Sequence, residues 1–163
     1  MIKKYGKIGV FALAVLFCTA FIFSNSLKDS VESHNDSSVI VEIVKNLMDK
    51  IAPHNELDWN FIVRKTAHLI EFFVLGVVLM LSLLQTRSKR RNDFVYALII
   101  ATVIAMIDEF IQSFVGRGDS LTDVIIDVTG VFLGIFLIYL IDVLTEYRRA
   151  KKTIKAKYYL NCE

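Results

Sequence analysis

Polar positions are sparse in four stretches of this chain, at about 8–23, 61–84, 94–115 and 121–144. A bilayer core takes about 20 mostly apolar residues per helix, and all four stretches are near or above that length. A backbone facing lipid has to satisfy its own hydrogen bonds, so these segments are predicted to be helices rather than strands. The first one follows Lys3, Lys4 and Lys7, a layout that also describes a secretory signal peptide. Its end, Phe21-Ile22-Phe23-Ser24-Asn25-Ser26, lacks a small-x-small cleavage pattern, which favours a retained anchor. The predicted fold class is an all-α membrane protein with four transmembrane helices.

The connection 24–60 carries a different period. Within 38–51, Ile40, Ile43, Val44, Leu47 and Ile51 share one helical face, while Glu42, Lys45, Asp49 and Lys50 lie elsewhere. That pattern predicts an extracytoplasmic amphipathic helix between the first and second spans, ending before Pro53. It reads as a lid or an interfacial helix, and a partner-binding role stays open. Trp59 and Phe61 then mark re-entry at the interface, where aromatic rings are favoured.

Charge orients the four helices. Lys3, Lys4 and Lys7 precede the first span; Arg87, Lys89, Arg90 and Arg91 fill the second connection; Arg148, Arg149, Lys151, Lys152, Lys155 and Lys157 follow the last. Thirteen of the 19 basic residues thus fall on one side, and Lys28, Lys45, Lys50, Arg64, Lys65 and Arg117 on or near the other. Basic residues accumulate on the cytoplasmic face, so both termini and the basic tail 145–163 are expected there. The 24–60 connection and the short 116–120 turn are expected to face outward. Residues 1–163 read as a single membrane domain.

Composition agrees with the pattern. The chain is 55% apolar or aromatic with a mean hydropathy of +0.51, too little polar surface for an ordinary soluble domain. A net charge of +2 gives no footprint for nucleic acid. Cys18 and Cys162 have no metal or redox spacing and read as free thiols. No cofactor motif is present, and the lipid bilayer is the first partner implied.

The polar residues that interrupt the last three spans carry the chemistry. Arg64, His68 and Glu71 lie on one face of the second helix; Asp108 and Gln112 are four apart on the third, with Glu109 adjacent; Asp123, Asp127, Gly130 and Gly134 make one stripe on the fourth. At about 1.5 Å per residue, His68 and Glu71 lie roughly 6 and 10 Å below Arg64, Asp108 roughly 10 Å below Val115 and Asp127 roughly 9 Å below Leu121, all in the outer half of the membrane. An ionisable group near the bilayer centre costs roughly 2.5–3.5 kcal/mol on insertion scales, so several at one level imply a packed or hydrated polar layer. Gly130 and Gly134 read as a close-packing face for the second or third helix. Gly116-Arg117-Gly118 reads as a tight turn that either aims the Arg117 guanidinium over the layer or leaves it solvated.

Three blocks, Arg64-Lys65-x-x-His68-x-x-Glu71-Phe72, Asp108-Glu109-x-x-Gln112-x-Phe114-x-Gly116-Arg117 and Asp123-x-x-x-Asp127-x-x-Gly130, resemble the signature blocks of VanZ-like membrane proteins. The likeness covers about residues 60–135, and Ser24, Ser26 and Ser30 resemble the serine-rich outer segment of many members. Members often carry proline at the position of Val115, tyrosine at that of Phe72 and asparagine at that of Asp127, so this chain adds a carboxyl. The resemblance implies a bacterial cell-membrane protein connected with tolerance of glycopeptide antibiotics such as teicoplanin. It supplies no reaction.

Three readings of the polar layer follow. In the first, Arg64, Lys65 and Arg117, with His68, Glu71, Asp108, Glu109, Gln112, Asp123 and Asp127, form a pocket for the head group of an envelope lipid or antibiotic, since arginine engages oxyanions bidentately. The alternative is a metal-assisted hydrolase or transferase on a lipid-linked substrate, in which a metal would use His68 with Glu71 and one of Asp108, Glu109 or Asp127. There is no HExxH, activated-serine or paired-cysteine motif, so enzyme status is not assigned. The third reading is an interhelical network that only orients the bundle. A homo-oligomer stays open.

Overall fold

The computed structural model describes residues 2–28, 38–46, 58–85, 90–116 and 121–160. They form five helices: α1 (Ile2–Ser26), α2 (38–46), α3 (Trp59–Leu83), α4 (Arg90–Phe114) and α5 (Leu121–Leu160), with no strand among the described residues. Gly9–Ser26, Trp59–Leu83, Arg91–Phe114 and Leu121–Lys155 are long and apolar enough to cross a bilayer. The chain is an all-α, multi-pass membrane protein.

Local chemistry sets most of the helix ends. Asp58, extended at φ −74° and ψ 90°, caps α3 by accepting the Phe61 N–H at 3.2 Å. Helix α4 stops at Gly116, whose φ of 72° is the left-handed conformation that suits glycine. Helix α5 has no such stop: no glycine or proline lies between Ile135 and Leu160, so it runs past the expected membrane exit through the basic tail. Arg, Lys, Ala and Leu there are good helix formers. Helix α2 occupies the first part of the expected amphipathic helix; Leu47, Asp49, Lys50 and Ile51 lie outside the described residues. Val39, Ile40 and Ile43 of α2 are exposed.

Helices α3 and α5 make the closest pair, with α4 against both and α1 against α3 and α4. Glycine is the reason for the intimacy. A Cβ on Gly130 would strike the Leu69 carbonyl, one on Gly134 the Phe73 carbonyl, and one on Gly76 the Val131 carbonyl. Without a hydrophobic drive between helices in lipid, such close backbone approach is what lets dispersion contacts hold a bundle together. On α4, Ala97, Ala101 and Ala105 are buried at four-residue intervals and continue that small-residue face. Phe72, Leu75, Leu79 and Met80 of α3 with Val131 and Ile135 of α5 fill the centre. Helix α1 touches this core through Ile22 and turns Val10, Leu13, Leu16 and Phe17 outward, as a helix apolar all round does in lipid. The C-terminal ends of α1 and α4 thereby meet the N-terminal ends of α3 and α5.

Candidate functional site

The polar layer sits at that shared end. A buried hydrogen-bond network joins α1 to α4: the Ser26 hydroxyl donates to Asp108 Oδ1 at 2.5 Å, and the Gln112 amide donates to Asp108 Oδ2 at 2.8 Å and to Ser26 Oγ at 3.4 Å. All three side chains are buried, and Asp108 is fully so. Four-residue spacing puts Asp108 and Gln112 on one face of α4, and Ser26 is the last residue of α1 at the same depth. Nearby, the Asn25 amide donates to Glu71 Oε1 at 2.9 Å, tying α1 to α3. Glu109, next to Asp108, is buried as well.

Closer to the helix ends, Lys65 of α3 makes an ion pair with Asp123 of α5, and its ammonium lies 5.1 Å from the centre of the Phe61 ring. Arg64, Lys65, His68, Gln112 and Asp123 line a small, partly open pocket. Arg64 is half-buried there and makes no hydrogen bond or ion pair with any described residue. Below the pocket, His68 Nδ1 lies 3.7 Å from Asp127 Oδ1 and 3.9 Å from Asp108 Oδ2. Those separations are too long for hydrogen bonds. Asp127 is fully buried, and neither of its carboxylate oxygens accepts a hydrogen bond from a described residue.

The structure therefore gathers His68, Asp108, Gln112 and Asp127 into one layer, with Arg64, Lys65 and Asp123 above it, while Glu71 faces Asn25. Arg117 lies outside the described residues, and so does Ser30. The amide of Asn25 is a site contact that sequence reasoning missed. Its signal was Ser24-Asn25-Ser26, three polar residues that close an apolar run at the depth of the layer. Buried Asp93, on the same α4 face as Ala97 but at the far end, was missed too. It carries only the ordinary signal of an acidic residue in a first helical turn.

Chemically, the arrangement presents a guanidinium at a pocket rim, an amide within it, and an imidazole with two carboxylates at its floor. A family model described as VanZ/LLP1 matches residues 10–142. No curated protein and no solved structure matches the chain.

Proposed function

The chain belongs to the VanZ/LLP1 family, and from that membership and the pocket together we propose that it contributes to tolerance of glycopeptide and lipoglycopeptide antibiotics by binding the anionic head group of an envelope lipid or of the antibiotic. The observation that carries the reading is Arg64: a half-buried guanidinium at a pocket, without a partner among the described residues. Arg64 lies near the start of α3, where an arginine reaches head-group level, so its guanidinium is placed to meet an anionic head group. Its planar fork suits a phosphate or carboxylate. Lys65, shared with Asp123, supplies a second cation that can turn toward an incoming oxyanion. Asp123 and the amide oxygen of Gln112 add acceptors for the uncharged or basic parts of the ligand. The pocket faces outward in this reading, because the basic residues are concentrated at the opposite helix ends. Arg117, in the connection between α4 and α5, is the second guanidinium this reading assigns to the ligand.

The test is genetic and biochemical. Deletion of the gene should selectively lower tolerance of lipoglycopeptides in a panel of envelope-directed antibiotics, and re-expression should restore it. Arg64→Ala should leave membrane abundance unchanged yet fail to restore tolerance. Arg64→Lys should restore it only in part, since a point charge cannot reproduce bidentate geometry. A shift across the whole panel, or tolerance that follows abundance in every variant, would remove the pocket from the explanation.

A further inference from the structure

We propose that His68, Asp108 and Asp127 bind one divalent transition-metal ion, of the Zn2+ or Mn2+ class, at the floor of the pocket. Three helices each supply one ligand: α3 an imidazole, α4 and α5 a carboxylate each. One ligand atom from each residue lies within 4.8 Å of the other two. At ligand bonds of ~2.1 Å, tetrahedral neighbours are about 3.4 Å apart. The observed 3.7 and 3.9 Å from His68 Nδ1 to the two carboxylates exceed that by a few tenths of an ångström, and the carboxylate oxygens of Asp108 and Asp127 lie within 4.8 Å of each other, so the three close on an ion by contracting toward it.

Asp127 is the observation that asks for a ligand. It is fully buried, with neither oxygen accepting a hydrogen bond from a described residue, and it faces His68 Nδ1 across that gap. A buried carboxylate left in this state is expensive, and a coordinated cation relieves it. The surrounding charge agrees. Asp108, Glu109 and Asp127 are all buried at this end, no lysine or arginine is buried among the described residues, the ammonium of Lys65 is engaged by Asp123, and half-buried Arg64 at the pocket is a single cation against three carboxylates.

The neighbours of Asp108 behave as supports for a ligand. Ser26 and Gln112 fix both of its oxygens from two helices, the kind of outer hydrogen bonding that orients metal-binding carboxylates. An imidazole beside two carboxylates favours a first-row transition ion over Mg2+ or Ca2+, which prefer all-oxygen shells. His68 also lines the pocket, so an ion there has an entry path and an open position for water or an oxyanion.

The experiment uses the full chain in lipid nanodiscs, stripped with chelator and then dialysed against Zn2+ or Mn2+ alone. Elemental analysis should find one ion per chain, and thermal stability should rise with the ion and fall on chelation. Asp127→Asn and His68→Gln should each weaken uptake by at least about tenfold, and Gln112→Ala by about 10–100-fold, while Asp142→Asn on the same helix keeps it. Helical circular dichroism shows which variants are folded. Two variants at different ligands keep the test decisive if one of them does not assemble. Sub-stoichiometric metal in the wild type, or undiminished uptake in both ligand variants, overturns the site and leaves a proton shared between Asp127 and His68 in its place. Because the probe is the ion alone, failure of the antibiotic-tolerance reading leaves this outcome standing.

Discussion

Ser24 and Ser26 are two residues apart on the last turn of α1 and differ in everything that sets their worth. Ser24 is exposed, whereas Ser26 is fully buried and donates to Asp108 at 2.5 Å. Removing one partner of a buried hydrogen bond to a charged group leaves the other unsatisfied, at a cost of about 1–3 kcal/mol. Ser26→Ala should therefore lower stability by that amount in reversible unfolding from mixed micelles. Ser24→Ala should stay within about 0.5 kcal/mol of the wild type. Equal effects would mean that the Ser26–Asp108 bond contributes nothing to the fold. At this scale the sequence was legible wherever one helix carries the information: spacing alone put His68 in line with Arg64, and Asp108 with Gln112. It was silent on which α1 residue meets which acid. Helix α1 is apolar all round, so its pattern does not state its rotation, and that rotation decides that Ser26 reaches Asp108 while Asn25 reaches Glu71.

Among the elements, the α3–α5 pair bears the closest backbone contact, and glycine position decides what a methyl group does. A Cβ on Gly134 would meet the carbonyl of Phe73 and crowd the Val77 backbone, neither of which can swing aside as a flexible side chain does. Overpacking of this kind typically costs about 1–3 kcal/mol. Gly9 on α1 has nothing within 4 Å of the same position. Gly9→Ala should be neutral or slightly stabilising through helix propensity, since glycine is about 0.8–1.0 kcal/mol worse than alanine inside a helix. Gly134→Ala should lower the unfolding midpoint, and denaturation of the two variants side by side checks the contrast. A Gly134→Ala protein as stable as wild type would show that the two helices can part without penalty. The Gly130–Gly134 spacing made the packing face of α5 readable, but Gly76 on α3 stood alone in an apolar run and gave no comparable signal. Helix α5 runs on beyond its apolar stretch for a similar reason. Hydropathy marks where apolar character ends, whereas a helix ends only where glycine, proline or a cap stops it.

For the whole molecule, the quantity that connects structure to function is the side of the membrane on which the pocket lies. Four apolar helices bring Lys3 and Arg149 to one face, with Arg87 and Lys89 between α3 and α4. The pocket is at the other face, because α1 and α4 end there and α3 and α5 begin there. Lysine and arginine are retained on the cytoplasmic side, and a count of thirteen against six is a strong bias over such short connections. In a protein lacking Cys18 and Cys162, Asn55→Cys should therefore react with an impermeant thiol reagent in intact cells. In the otherwise unaltered chain, Cys162 should react only after the cells are opened. The two arms guard against different errors: failure of the first alone signals a shielded side chain, whereas labelling of Cys162 in intact cells signals an inverted bundle. Inversion would put Arg64 and its pocket in contact with the cytoplasm, out of reach of any ligand that stays in the outer leaflet. The reading as a receptor for envelope lipid or antibiotic would then fall, while the His68–Asp108–Asp127 site, which depends on helix packing and not on orientation, would still be open to measurement.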